Sequence, residues 1–126
     1  MKKYACMILD DNLFFQKILE ELIERSSYLE LHSTVDDKKS VHAIAESTPD
    51  IIFFDPAFVG MSPEEILELY PYNPMLVIIS ANEKFATEVF ENHVTDMLDK
   101  STLTSDRFEI TIEKIRSTTL PTSISA

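Results

Sequence analysis

The chain has 126 residues, enough for one domain with a sizeable core, and it is 44% apolar and 26% charged, as ordinary soluble proteins are. Its 22 acids against 11 lysines and arginines leave a net charge of −11, a surface that repels nucleic acid and carries no basic stripe to offset this. The single glycine, Gly60, excludes the phosphate-cradling P-loop, the dinucleotide fingerprint and the G-x-S-x-G nucleophile turn, each of which needs several glycines.

Tyr4–Leu9 is apolar on both faces, the pattern of a strand inside a parallel sheet. Leu13–Arg25 has helical spacing, with Phe14, Ile18 and Leu22 beside Leu19 and Ile23, and Asp11 or Asn12 can cap its start. Leu29–Val35 alternates as a strand with one wetter face. Asp36 or Asp37 opens a short helix to about Glu46, with Val41, Ile44 and Ala45 inward. Ile51–Phe54 is the strongest buried-strand signal, and Pro56–Met61 reads as a loop. Ser62-Pro63-Glu64-Glu65 is a helix start with a capping hydroxyl, a first-turn proline and acids at the positive end; that helix runs to about Tyr70.

Met75–Ile79 is the fourth strand, Glu83–Asn92 the fourth helix, Val94–Leu98 a short fifth strand and Ser105–Arg116 the fifth helix, striped by Phe108, Ile112 and Ile115. Five strand–helix repeats with right-handed crossovers predict a doubly wound α/β sheet with helices on both faces. The run after Arg116 is small and polar and contains Pro121, which predicts a linker or disordered tail over 119–126 after a domain of residues 1–118. No apolar run is long enough to span a bilayer, Met1-Lys2-Lys3 leads straight into a strand-like segment without a cleavage site, and the lone Cys6 cannot form an internal disulfide; together these favour a cytoplasmic protein with no membrane partner.

Chemistry concentrates where the strands end. Asp10 and Asp11 follow the first strand, Asp55 the third, Ser80 the fourth and Lys100 the fifth. In an open α/β sheet those ends share the edge at which ligands bind. Three carboxylates held that close resist full ionisation unless a cation compensates, and magnesium, which takes only oxygen ligands, suits them. Asp55 is a competent nucleophile toward a phosphoryl group; Ser80 offers a hydroxyl to its oxygens and Lys100 a positive charge to it or to Asp55. Taken singly these residues have plainer readings: an acid pair capping a helix, a turn acid before proline, a strand-end hydroxyl, a solvated lysine. His32, His42 and His93 have no metal-ligand spacing and read as structural or surface residues.

The pieces Ile8-Leu9-Asp10-Asp11-Asn12, Pro49–Asp55, Val77-Ile78-Ile79-Ser80-Ala81 and Asp96-Met97-Leu98-Asp99-Lys100, in that order, resemble the receiver domain of bacterial two-component response regulators over roughly residues 3–117. Phe85–Glu91, and Arg107-Phe108 at the opening of the last helix, look most like the LytR/AlgR type, whose receivers usually precede a LytTR DNA-binding domain. The resemblance implies a flavodoxin-like (βα)5 fold with strand order 2-1-3-4-5. It implies that Asp55 accepts a phosphoryl group from a sensor histidine kinase. It implies that Asp10, Asp11, Asp55 and the Ala57 carbonyl hold Mg2+, and that Ser80 and Lys100 assist. The domain would catalyse only its own phosphotransfer and autodephosphorylation, at a rate tuned by Ala57 and Asn82. Switching would alter the face formed by the fourth helix, fifth strand and fifth helix, through which a homodimer would form, and a C-terminal DNA-binding output domain would follow.

The chain departs from that pattern at four places. Ser101 follows Lys100 where the family usually has a cis proline, and a non-proline cis bond costs about 2.5–4 kcal/mol, which favours trans. Met97 stands where an aromatic switch residue is common. Val59 and Pro63 replace a familiar proline and glycine, and Pro56 follows Asp55, leaving the Ala57 N–H for a phosphoryl oxygen. Met97 and Ser101 motivate an alternative, a pseudo-receiver that binds partners without being phosphorylated. A haloacid-dehalogenase-type phosphatase ranks low, because position 12 is Asn and position 57 is Ala where that class needs a second aspartate.

Overall fold

The computed structural model describes residues 3–37, 40, 44–81 and 94–125, the side chains of 119–125 excepted. Five parallel strands form one sheet in the order β2-β1-β3-β4-β5. They are β1 (Tyr4–Leu9), β2 (Leu29–Val35), β3 (Ile51–Phe54), β4 (Met75–Ser80) and β5 (Asp96–Asp99). The described helices are α1 (Leu13–Arg25), α2 (Pro56–Val59), α3 (Pro63–Leu67) and α4 (Ser105–Ser125). The predicted helix Glu83–Asn92, together with Asn82, His42 and His93, lies outside the described residues. So does part of the predicted helix before Glu46, of which residues 44–46 form a 3₁₀ turn. None of the described helices is long and apolar enough to cross a membrane.

The central strands read as continuous apolar runs because successive side chains enter different cores. On one face Cys6, Ile8, Ile51, Phe53, Val77 and Ile79 pack with Phe15, Leu19 and Ile23 of α1 and with Phe108, Ile112 and Ile115 of α4. On the other, Met7, Leu9, Ile52, Phe54, Leu76 and Ile78 pack with Ile44, Phe58, Ile66 and Tyr70. A period of two therefore fills both layers, as a sheet covered on both sides requires. Edge strand β2 is buried only at Leu29, which explains its wetter pattern.

Local signals account for most boundaries. Asn12, not Asp11, caps α1: its side chain accepts the Phe15 N–H at 3.0 Å. Ser62 and Glu65 form a complete capping box at α3, with reciprocal bonds of 3.1 and 3.2 Å. Ser62→Ala is expected to cost about 1 kcal/mol of stability, read as a lower midpoint in a urea titration with unchanged slope. The turn after α3 tightens to i→i+3 bonds at Leu69 and Tyr70, so the helix stops at Leu67 rather than Tyr70.

Three further expectations change. Pro56–Val59 is a short helix rather than part of a loop; Asp55 caps it, proline occupies its first turn, and Gly60 closes it at φ 69°. The fifth strand spans Asp96–Asp99, set by its register with Val77–Ser80, rather than Val94–Leu98. The last helix runs to Ser125, past Arg116.

α4 is fastened to β5 through Asp96, whose side chain is 4% exposed. Arg107 donates to both of its carboxylate oxygens at 2.9 Å and to the Met97 carbonyl at 3.0 Å. Thr111 donates to Asp96 at 2.7 Å, Lys114 at 3.0 Å and the Met97 N–H at 2.8 Å. Phe108 stacks on Phe53 with centroids 6.0 Å apart, which seats the same helix on the core.

Candidate functional site

The strand register carries three of the five strand-end residues to one point. The Asp10 N–H bonds to the Val35 carbonyl of β2 and the Asp55 N–H to the Leu9 carbonyl of β1, so the two acids leave neighbouring strands side by side. The Lys100 N–H bonds to the Ser80 carbonyl at 2.9 Å, which ties the end of β5 to the end of β4. From there the Lys100 ammonium reaches back across the edge and lies 2.8 Å from Asp10 Oδ2 and 2.8 Å from Asp55 Oδ2. These side chains are 0% exposed at Asp10, 13% at Asp55 and 11% at Lys100.

Lys100 donates a hydrogen bond to Asp55 Oδ2 and forms an ion pair with the fully buried Asp10 Oδ2 at the same distance. Burial raises the Asp10 pKa by more than Lys100 lowers it. Lys100 loses hydration too, but the two carboxylates outweigh that loss and raise its pKa. One ammonium shared between two carboxylates reconciles these directions, with the shortfall of positive charge falling on Asp10, the deeper acid.

Asp10, Asp55 and Lys100 are thus brought together as expected. Asp11 is exposed at the start of the α1 turn and does not join them. Among the described residues no group of three or more His, Cys, Asp or Glu side chains is gathered closely enough to hold a metal ion. Ser80 is buried at the end of β4, in register with Asp99. The Ala57 N–H is not available as the sequence predicts: it donates to Asp55 Oδ1 at 2.9 Å, because Asp55 caps α2. The Lys100–Ser101 peptide is trans.

Donor chemistry nevertheless fits a hard cation. Two carboxylates share one ammonium, so the cluster carries surplus negative charge, and its acids offer oxygen ligands of the kind a hard cation takes.

Three further residues shape the site without any motif to announce them. The Phe15 ring lies 5.3 Å from the Lys100 ammonium, within cation–π range. Gln16, buried on α1, donates its side-chain amide to the Asp10 carbonyl. Asp99 Oδ1 accepts from both the backbone and the hydroxyl of Ser101. The predicted apolar stripe runs through Phe14, which is 78% exposed, and misses Phe15 and Gln16, which are the buried residues of that turn; Asp99-x-Ser101 carries no more than an ordinary turn signal.

No family model matches the chain. An uncharacterized response regulatory protein of Shewanella oneidensis is 24% identical over 123 residues, covering 95% of this chain and 52% of that protein. A second, from Vibrio cholerae, is 29% identical over 118 residues, covering 90% of this chain and 45% of that protein. The chain therefore spans about half the length of the curated relatives it matches. Among solved structures, the response regulatory domain of mrkE from Klebsiella pneumoniae superposes with a TM-score of 0.77 at 24% identity, covering 90% of this chain and 96% of that one. The fold is the CheY-like, flavodoxin-like one of receiver domains, and the relatives support a response-regulator receiver.

Proposed function

We propose that this domain is a phosphoacceptor, taking a phosphoryl group onto Asp55 from a phosphohistidine on a sensor kinase. The observation that carries the reading is the Lys100 ammonium, 2.8 Å from both Asp55 and Asp10 at the C-terminal edge of the sheet. In the transfer, Asp55 Oδ attacks phosphorus, the P–N bond to the donor imidazole breaks, and the electron pair stays on that nitrogen. Asp55 is exposed enough to meet a donor, and Lys100 stands ready to pair with the incoming phosphoryl oxygens. Asp10, Asp55 and the Ala57 carbonyl would hold Mg2+, with Asp11 joining them only by turning in from its exposed position; when bound, the ion neutralises phosphoryl charge. The Ala57 N–H would leave Asp55 Oδ1 for a phosphoryl oxygen as that carboxylate becomes an acyl phosphate.

The finer assignment to the LytR/AlgR type rests on the sequence resemblance at Phe85–Glu91 and at Arg107-Phe108. The half-length match to the relatives is consistent with an output domain following in the full protein. A DNA-binding output domain, a homodimer through the face that includes β5 and α4, and a cytoplasmic location complete the proposal.

The test is intact mass and oligomeric state with Mg2+ and either acetyl phosphate or beryllofluoride. The expected result is one hydroxylamine-labile phosphoryl adduct and a Mg2+-dependent beryllofluoride response. Absence of both in the wild-type chain would overturn the reading. The pseudo-receiver alternative, a module that binds partners unphosphorylated, would then stand, and the exposed position of Asp11, outside the cluster, is the observation that favours it.

A further inference from the structure

Lys100 has to deliver its ammonium to a point between two acids from the end of a four-residue edge strand, and nothing in its own side chain dictates that direction. A lysine side chain is long and rotatable, and ordering it costs entropy. Its reach is about 6 Å from Cα to Nζ, so a backbone rotation of roughly 10° moves the ammonium by about 1 Å. Displacement on that scale breaks a hydrogen bond of 2.8 Å. The backbone on either side of Lys100 must therefore be held.

Two kinds of contact hold it. On the strand side, the Lys100 N–H bonds to the Ser80 carbonyl at 2.9 Å. Across the residue, Asp99 Oδ1 accepts the Ser101 N–H at 2.8 Å and the Ser101 hydroxyl at 2.6 Å, while the Thr102 N–H bonds to the Asp99 carbonyl at 3.2 Å. Asp99 and Ser101 thus close a side-chain clamp over the residue between them, and that residue is Lys100. The clamp works through a trans peptide and needs no proline.

We infer that Asp99 and Ser101 are positioning residues for Lys100, their clamp aiming the ammonium between Asp10 and Asp55. In its consequence for phosphoryl transfer the inference rests on the receiver reading; the aiming of Lys100 does not.

The experiment compares wild type with Asp99→Ala, Ser101→Ala and the conservative Asp99→Asn, which keeps the Oδ1 acceptor. Each is treated with acetyl phosphate and Mg2+ for the phosphorylation rate. Each is separately treated with an amine-acylating reagent, and Lys100 modification is read by peptide mass mapping. The expected result for Asp99→Ala is a phosphorylation rate lower by about tenfold or more and a Lys100 that becomes reactive while thermal unfolding is unchanged. Ser101→Ala, which loses one of the two bonds, is expected to fall between it and wild type, and Asp99→Asn to match wild type. Should Asp99→Ala not fold, Ser101→Ala carries the comparison. A Lys100 as protected in the Ala variants as in wild type would overturn the inference. If wild type takes up no phosphoryl group, the receiver reading fails, and the protection of Lys100 still decides whether the clamp aims it.

Discussion

Asp55→Asn is expected to take up no phosphoryl group from acetyl phosphate under conditions in which the wild-type chain does so. An amide oxygen is too weak a nucleophile to attack phosphorus, and no second carboxylate stands ready to replace Asp55: Asp10 is fully buried and Asp11 lies outside the cluster. The substitution spares the fold, because asparagine keeps an oxygen to accept from Lys100 or from the Ala57 N–H, and asparagine also caps helices well. It also leaves Lys100 to Asp10 alone, relieving the sharing of one ammonium by two acids. Thermal stability should therefore be retained while the adduct disappears from the mass spectrum. A phosphoryl adduct persisting in Asp55→Asn would show that another residue is the acceptor.

The second large effect belongs to stability. Asp96→Ala is expected to lower the free energy of unfolding by about 3 kcal/mol, measured by urea titration. The alanine leaves the Arg107 guanidinium, the Thr111 hydroxyl and the Met97 N–H without their shared acceptor beside the core. Arg107 and Lys114 are partly exposed and recover some hydration, which keeps the loss from being larger. Asp96→Asn, which retains an accepting oxygen, should lose less. A loss below about 1 kcal/mol for Asp96→Ala would mean that the cost of burying the carboxylate cancels what its partners contribute.

The same hub sets a pH dependence. Burial by itself would raise the Asp96 pKa, but hydrogen bonds from Arg107, Thr111 and Lys114 bring it down to about 2 from an ordinary 3.8. A carboxylate depressed on folding contributes stability that is fully present above its unfolded pKa and lost as pH falls through the folded one. The wild-type chain should therefore lose about 2 kcal/mol between roughly pH 5 and pH 1 that Asp96→Ala does not lose. Titrating both proteins with urea across that range isolates the difference.

The residues at which the strand pattern was strongest are also those the structure treats most simply. Ile51–Phe54 is buried on both faces, and its side chains alternate between the two cores, so a continuous apolar run was enough to identify it. The capping box at Ser62 was legible for the same local reason. The short helix at Pro56 reads from the sequence as a loop, because four residues are too few for a periodicity to develop and Asp-Pro marks a turn as readily as a helix start. Asp96 shows the opposite case. Its place in the fifth-strand piece gives no sign of its role as a hub, because its partners Arg107, Thr111 and Lys114 come from the following helix and meet it only when that helix packs on the sheet edge.

The chemistry at the sheet edge divides along the same line. Residue order alone was enough to nominate Asp10, Asp55 and Lys100, because a parallel sheet delivers its strand ends to one edge whatever the details of packing. It could not separate Asp10 from Asp11: that depends on which acid the last turn of β1 points inward, and the buried one became the partner of Lys100 while Asn12 capped the helix. Nor could it reveal that Asp55 spends one oxygen on the Ala57 N–H, or that Asp99 and Ser101 close over Lys100. Strand ends follow from periodicity, which is a property of neighbouring residues. Directions and distances between side chains on different strands follow from register and packing, which exist only once the sheet has formed.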